Sequence, residues 1–379
     1  MQSHPVELLR ELVSIDSVNP DLVPGAQGEG EIARFAEGWL RERELEVHVE
    51  DSGRPGRPNV VAVARGSGGG RSLMLNSHMD TVGVAGMHDP FRPVERGGRL
   101  FGRGAMDTKA ALAAFMSVAV DARALGLRGD VILTAVVDEE YASAGTDAVV
   151  KKWKADAAIV GEPTGLEIVT AHKGFAWFEI ETRGAAAHGS RPDIGVDAIS
   201  KMGKVLVEIE EAAARLMKSR PHRILGPGSM HASLIQGGQE LSSYPALCRL
   251  GIERRTLPGE KLDDIEAELR GILLRIGKTD PAFSATLRRV FTRDPLEVPW
   301  GELVVETLKK AVVSVTGTAA ILSGMGGWMD SALLSAAGIP AVIFGPRGEG
   351  LHGETEWVDL DSLEACRRVT LAAVTDFCA

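Results

Sequence analysis

Histidine, aspartate and glutamate side chains recur in this chain just past short apolar runs, and together they could hold metal ions. His78 and Asp80 follow Ser72-Leu-Met-Leu-Asn-Ser77, and Asp107 follows the glycine-broken Gly102-Arg-Gly-Ala-Met106. Glu139 and Glu140 follow Val131-Ile-Leu-Thr-Ala-Val-Val137, and Glu162 follows Ala157-Ala-Ile-Val-Gly161. His352 lies a few residues past Ala341-Val-Ile-Phe344. In an α/β protein such runs read as buried strands, and open α/β sheets collect their chemistry at the carboxyl ends of strands.

A donor set of His, Asp and Glu without thiolate suits Zn²⁺, Co²⁺ or Mn²⁺ in a catalytic role. A carboxylate such as Asp107 can bridge two ions roughly 3.5–4 Å apart. The spacing His78-Met79-Asp80 puts both side chains on one face of an extended segment, so Asp80 can accept from the imidazole N–H that faces away from a metal. Glu139 and Glu140 cannot point the same way from regular secondary structure. One can bind metal while the other stays free as a base. Each feature alone has a plainer reading. A Glu pair is usually a solvated loop, and Asp107 is a good N-cap for a helix over residues 108–125. A His-x-Asp pair is often a surface hydrogen bond, Glu162-Pro163 can end a strand, and His352 can be a loop histidine. The repeated placement after apolar runs outweighs these readings.

The surrounding pattern predicts helices over residues 5–12 and 29–43, then strands over 46–50 and 59–65. Ser67-Gly-Gly-Gly70 reads as a hairpin tip; it lacks the Lys and Ser/Thr of a phosphate-binding loop. From Lys173 the rhythm changes to β-α-β-β-α-β: strands over 174–182, 228–236, 245–254 and 283–291, helices over 196–218 and 262–276. That order is ferredoxin-like. Helices over 302–315, 331–337 and 361–377 and strands over 320–323 and 341–344 complete an α/β domain. The expected organisation is therefore a mixed-sheet catalytic domain, residues 1–173 and 294–379, carrying an inserted α+β lid or dimerisation domain, residues 174–293. The length of 379 residues also favours two domains.

Net charge is −10 and no basic cluster occurs, which argues against nucleic acid as a partner. No apolar stretch approaches the roughly 20 residues that a membrane span requires, and the amino terminus lacks the pattern of a secretion signal. Cys248, Cys366 and Cys378 are irregularly spaced and form neither a disulfide framework nor a Cys-x-x-Cys site. A cytoplasmic location is expected.

The segments Leu75-Asn-Ser-His-Met-Asp-Thr81, Gly102-Arg-Gly-Ala-Met-Asp-Thr-Lys109, Asp138-Glu-Glu140, Gly161-Glu-Pro163 and Leu351-His-Gly-Glu-Thr-Glu-Trp357 resemble the M20 metallopeptidase family. Within it they resemble the branch of acetylornithine deacetylase, succinyl-diaminopimelate desuccinylase and carboxypeptidase G2. The resemblance runs over nearly the whole chain in the family's order. It implies a zinc-dependent hydrolase of linear amide or peptide bonds with a dinuclear site, Zn²⁺ first and Co²⁺ or Mn²⁺ as alternatives. His78, Asp107 and Glu162 would bind one ion, and Asp107, Glu140 and His352 the other. Glu139 would be the general base and Asp80 the partner of His78. His188, in Ala187-His-Gly-Ser-Arg-Pro192, would reach a substrate carbonyl, often in the partner subunit's site; otherwise it is a turn histidine. Arg255 would grip a substrate carboxylate, with Arg254 on the opposite strand face. Asp330, in Gly326-Gly-Trp-Met-Asp330, would help line the pocket or else cap the following helix.

One departure stands out. Ser242 occupies the place where the family often has an asparagine, so a particular substrate does not transfer from a relative. The expected substrate is a small N-acyl amino acid or short peptide, and the expected assembly is a homodimer through the lid. A dipeptidase or glutamate-type carboxypeptidase is the alternative activity, and a catalytically silent binding protein on the same fold is the rival from another class.

Overall fold

The computed structural model describes residues 4–84 and 86–379. The chain divides into two units. The first begins with α1 (Pro5–Ser14), α2 (Gly30–Arg41), β1 (Glu46–Glu50), β2 (Asn59–Ala64) and β3 (Leu73–His78). After the short pair β4 (Val94–Arg96) and β5 (Arg99–Phe101) come α3 (Lys109–Arg123), β6 (Val131–Val136), α4 (Ala144–Lys152), β7 (Ala157–Val160) and β8 (Ile168–His172). The second unit supplies β9 (Gly174–Arg183), α5 (Ala198–Met217), β10 (Ser229–Gly237), β11 (Leu247–Thr256), α6 (Leu262–Thr279), β12 (Ser284–Arg293) and β13 (Leu296–Glu297). The chain ends with α7 (Leu303–Thr316), β14 (Leu322–Met325), α8 (Ser331–Ala336), β15 (Ala341–Ile343), β16 (Gly348–Glu349), β17 (Trp357–Asp359) and α9 (Leu360–Phe377).

The first unit is built on a mixed sheet of order β1-β2-β6-β3-β7-β15-β8. Its centre, β6-β3-β7-β15, is parallel throughout, while β1, β2 and β8 run antiparallel to their neighbours. The residues of β3, β6, β7 and β15 are buried, as expected for parallel strands covered on both faces. The parallel direction has one consequence that matters most: four carboxyl ends open on the same edge of the sheet.

Helix α3 is nearly all alanine and other apolar residues, and Lys109–Ala119 is buried without a break. Small side chains let it lie close to the strands. A Cβ on Gly161 would meet the Ala111 methyl at 2.7 Å and the Phe115 ring at 2.8 Å. The Thr108 hydroxyl donates to the Gly161 carbonyl at 2.9 Å, which ties the start of α3 to the residue before Glu162.

Two expectations change. The glycines at 68–70 close no hairpin, because β6 lies between β2 and β3; the Ser67 and Gly68 amides donate to the Leu127 and Arg128 carbonyls instead. Asp107 caps nothing: Thr108 is the N-cap of α3 and no side chain bonds the first-turn amides. A further sheet, β16-β17-β5-β4, is made of strands too short to show a period in the sequence.

The second unit comprises Ala171–Glu297 and Gly324–Trp328, slightly more than the segment 174–293 read from the change of rhythm. The difference is β13, which pairs with the last two residues of β8, together with 324–328. Its sheet has the order β10-β11-β9-β12 with every pairing antiparallel, the ferredoxin-like arrangement. Alternation along β9 sends Ala176, Phe178 and Ile180 into a core with α5 and α6. Phe175 and Trp177 stand on the other face, where they form an aromatic group with Phe291.

Gly161→Ala tests the close approach of α3. The added methyl must push Phe115 or β7 aside, so the variant should lose about 1–3 kcal/mol of stability in denaturant unfolding. An unchanged midpoint would show that α3 has slack there.

Candidate metal centre

His78 is the last residue of β3, Glu139 and Glu140 lie on the turn after β6, and Glu162 follows β7. His352 sits at φ +57° in the loop between β16 and β17. Asp107 comes from the segment that leads into α3. All six belong to the first unit.

Asp107 is the centre of the arrangement. Its Oδ1 is 3.3 Å from His78 Nε2 and its Oδ2 is 3.2 Å from His352 Nε2. Glu162 Oε1 stands 3.7 Å from His78 Nε2, and Glu140 Oε2 stands 3.2 Å from His352 Nε2. One carboxylate thus faces two imidazoles, each accompanied by its own glutamate. Donor atoms of His78, Asp107 and Glu140 lie within 4.8 Å of one another, and so do those of His78, Glu139 and Glu162. Both adjacent glutamates therefore reach His78, because they lie on a turn and not in the regular structure for which opposite directions were expected.

Burial and mutual repulsion raise the proton affinity of these acids. Glu139 and Glu162 are held well above the usual carboxylate range, by burial first and by neighbouring carboxylates after it. Burial, then the charge of Asp107, pushes Glu140 up to about 7. Burial would also raise Asp107, but hydrogen bonds from His352 and His78 outweigh it and hold it low. Burial would lower His78; its bonds to Asp107 and Asp80 and the charges of Glu162 and Glu139 raise it well above its ordinary value. Bonds to Asp107 and Glu140 push His352 up to about 10. Glu140 Oε1 is buried and has no hydrogen-bond partner. Oxygen and imidazole donors crowded in this way, with one orphaned carboxylate oxygen, fit divalent cations.

Asp80 is placed differently from the expectation. His78 Nδ1 is 3.0 Å from the Asp80 carbonyl and 3.5 Å from its carboxylate, so the backbone oxygen is the closer partner. The carboxylate also accepts from the Glu139 and Glu140 amides at 3.1 and 3.2 Å. Asp330 precedes α8 but makes no cap hydrogen bond. It is 1% exposed, and Thr146 Oγ1 donates to its Oδ2 at 2.6 Å. Burial pushes it up to about 6, and its charge bears on Glu139 and Glu162.

His188 and Arg255 belong to the second unit. His188 is exposed, and its Nδ1 lies 2.8 Å from the Ser190 hydroxyl and 3.3 Å from the Ser190 amide. The Ser242 carbonyl accepts from Gly189 at 2.7 Å, placing the departure from the family pattern beside the His188 loop. Arg255 Nε donates to Glu253 Oε1 at 2.6 Å, and its guanidinium lies 5.3 Å from the Phe175 ring centre. Arg254 is buried and donates to Glu260.

One residue lies within the motif Leu351–Trp357 but has no role assigned from the sequence. Glu356 is buried and accepts from Arg103 Nη1 at 2.7 Å and from the Gly104, Met106 and Asp107 amides at 3.0, 2.8 and 3.0 Å. It moulds the segment that presents Asp107. The motif marks its neighbourhood in the sequence, but nothing local shows that its carboxylate folds back onto residues 103–107.

Peptidase family M20/M25/M40 matches residues 74–376, and the chain belongs to that family of hydrolases. It is 33% identical to acetylornithine deacetylase of Myxococcus xanthus, over 98% of this chain and 96% of that protein. It is 29% identical to N-formyl-4-amino-5-aminomethyl-2-methylpyrimidine deformylase of Bacillus subtilis, over 100% and 96%. Among solved structures it shares its fold with aminopeptidase PepT of Bacillus cereus, with a TM-score of 0.81, 21% identity and 100% and 99% of the two chains covered. It also shares it with a dinuclear metal-binding M20 peptidase of Bacillus subtilis, with a TM-score of 0.75, 16% identity and 99% of each chain covered. Among the described residues, no helix is long and apolar enough to cross a membrane.

Cation binding should depend steeply on pH. A cation must displace protons from His78, His352 and, below about 7, Glu140. Affinity therefore rises with pH, by roughly a hundredfold or more between about pH 6 and about pH 8. Chelator competition with Zn²⁺ at the two values measures this; a flat profile would show that the histidines do not ligate.

Proposed function

We propose that this chain is a dinuclear-metal amidohydrolase that removes a small acyl group from the nitrogen of an N-acyl amino acid. The observation that carries the reading is Asp107, with one oxygen towards His78 and the other towards His352. A bridging carboxylate of that kind is what two ions roughly 3.5–4 Å apart require. His78, Asp107 and Glu162 would hold one ion, and Asp107, Glu140 and His352 the other. Zn²⁺ is the proposed metal, given the nitrogen and oxygen donors.

Divalent cations bound there supply positive charge that polarises an amide carbonyl and makes water more acidic. Glu139 is the proposed base. Its raised proton affinity suits a group that takes a proton from the attacking water and passes it to the leaving nitrogen. Asp80 holds the Glu139 amide and so helps keep that carboxylate in place. In the second unit, His188 is the proposed donor to the carbonyl oxygen of the substrate, and Arg255 the proposed partner of its carboxylate. That unit is also the proposed lid and homodimer interface.

The substrate class is supported by the two relatives, named for removing an acetyl and a formyl group from an amine. A screen of N-acetyl, N-formyl and N-succinyl amino acids together with dipeptides, each with Zn²⁺, Co²⁺ or Mn²⁺, tests it. Turnover of dipeptides alone would move the assignment to a peptidase, and no turnover with metal bound would leave a binding protein.

Two substitutions separate the roles. Glu139→Gln should keep two equivalents of metal while losing most of kcat, since an amide cannot carry the proton. Asp107→Ala should lose metal, since both sites share that side chain; elemental analysis beside turnover reads both. A fully active Glu139→Gln enzyme would sink the base assignment. His188→Ala should lower kcat roughly 10²–10³-fold with metal content unchanged, and undiminished turnover would remove it from the reaction.

A further inference from the structure

We propose that Asn19 and Arg57 are positioning residues of the metal centre, acting through Asp138 and Asp80 on the turn that aims Glu139 and Glu140 at His78. The inference rests on the dinuclear reading above and concerns what holds its two adjacent glutamates. Neighbouring side chains reach one site only if the backbone bends sharply before them. Asp138 makes that bend at φ +69°. A non-glycine residue persists in the left-handed region when its surroundings over-determine it.

They do so here. The Asp138 carboxylate is fully buried and accepts from Arg57 Nη2 at 3.0 Å, Arg54 Nη2 at 3.0 Å, Asn19 Nδ2 at 3.2 Å and the Ala144 amide at 3.3 Å. Its own amide donates to Glu29 Oε1 at 3.0 Å. Glu29 is gripped by the Arg57 fork, Nε to Oε2 at 2.5 Å and Nη2 to Oε1 at 2.8 Å. A third arm, Arg57 Nη1, reaches Asp21 at 2.6 Å. Only a planar guanidinium fills these positions together; a lysine would keep the charge and lose the fork.

Asn19 joins this cluster to the centre. Its Nδ2 donates to Asp80 Oδ2 at 2.8 Å as well as to Asp138 Oδ1, and Asp80 receives the Glu139 and Glu140 amides. One amide group therefore links the acid that sets the bend to the acid that holds both glutamate backbones. Asn19 and Arg57 touch no donor atom of the centre, and their effect on it passes through this chain of bonds. A purely structural ion cluster would change stability and leave the geometry of the centre alone.

The test loads full-length wild type, Asn19→Ala, Arg57→Lys and a control, Leu40→Ala, with Co²⁺ and records its visible absorption, its affinity by chelator competition, thermal midpoints, kcat and KM. Leu40 is a buried residue of α2 outside the network, so its truncation should lower the midpoint and leave the cobalt spectrum as in wild type. Asn19→Ala should alter the spectrum, weaken cobalt binding about tenfold and lower kcat about tenfold with KM within about twofold, in line with the 10–100-fold typical for partners of metal ligands. Arg57→Lys should shift the same readouts in the same direction by less, and it decides the matter if Asn19→Ala does not fold. Unchanged spectrum, affinity and kcat in the variants that fold, beside a wild type that binds cobalt, would overturn this inference alone. A wild type that takes up no cobalt would overturn the metal-centre reading and this inference with it.

Discussion

Bringing Asp107, Glu139, Glu140 and Glu162 to one largely buried place is unfavourable in every respect but one. Each loses water, and each repels the others; charges buried without partners are among the most expensive features a protein can carry. The upward pressure on Glu139, Glu140 and Glu162 is the physical expression of that cost. His78 and His352 relieve part of it, and both are driven towards their charged forms in doing so. What remains is a concentration of negative charge that divalent cations neutralise. The rest of the first unit consists of ways to hold that arrangement together.

Two levels of construction do so. The parallel block β6-β3-β7-β15 sends four strand ends to one edge, so His78, Glu139, Glu140 and Glu162 arrive side by side from distant parts of the sequence. Hydrogen bonds to backbone amides then set each segment. Glu356 holds the approach to Asp107, and Asp80 holds the two glutamates. Carboxylates that orient other carboxylates through main-chain N–H groups add rigidity without placing another cation among the ligands. The dense packing of α3 over Gly161 fixes Glu162 in the same way, by sterics in place of hydrogen bonds.

Membership of the M20 family settles the class of chemistry, while the choice of substrate depends on features the family varies. The deacetylase and the deformylase both align along almost the whole chain, and their names share the removal of a small acyl group from nitrogen. Ser242, beside the His188 loop, is where this chain departs from the common pattern.

The elements and the donor residues were legible in the sequence because their signals are local. Apolar runs mark β3, β6, β7 and β15, and acids and histidines stand at or a few residues past their ends. The β-α-β-β-α-β rhythm of the second unit is legible for the same reason, since period-2 and period-3.6 patterns alternate over long segments. Local signals do not carry partnership. Strand order was decided by pairing across the sheet, which put β6 between β2 and β3 and turned an expected hairpin into a crossing. The directions of Glu139 and Glu140 were decided by a left-handed Asp138, a backbone state that residue type alone does not announce. The closer partner of His78 proved to be the Asp80 carbonyl, while the Asp80 carboxylate also accepts from Asn19 and two backbone amides. Asn19 and Arg57 look like surface polar residues until the fold buries them, Glu356 is marked only by its motif, and all three act through atoms tens or hundreds of positions away. The sequence by itself determined which side chains are available for metal chemistry and which strands carry them. Only the tertiary structure decided how they are held, because burial converts ordinary polar residues into obligatory hydrogen-bond partners.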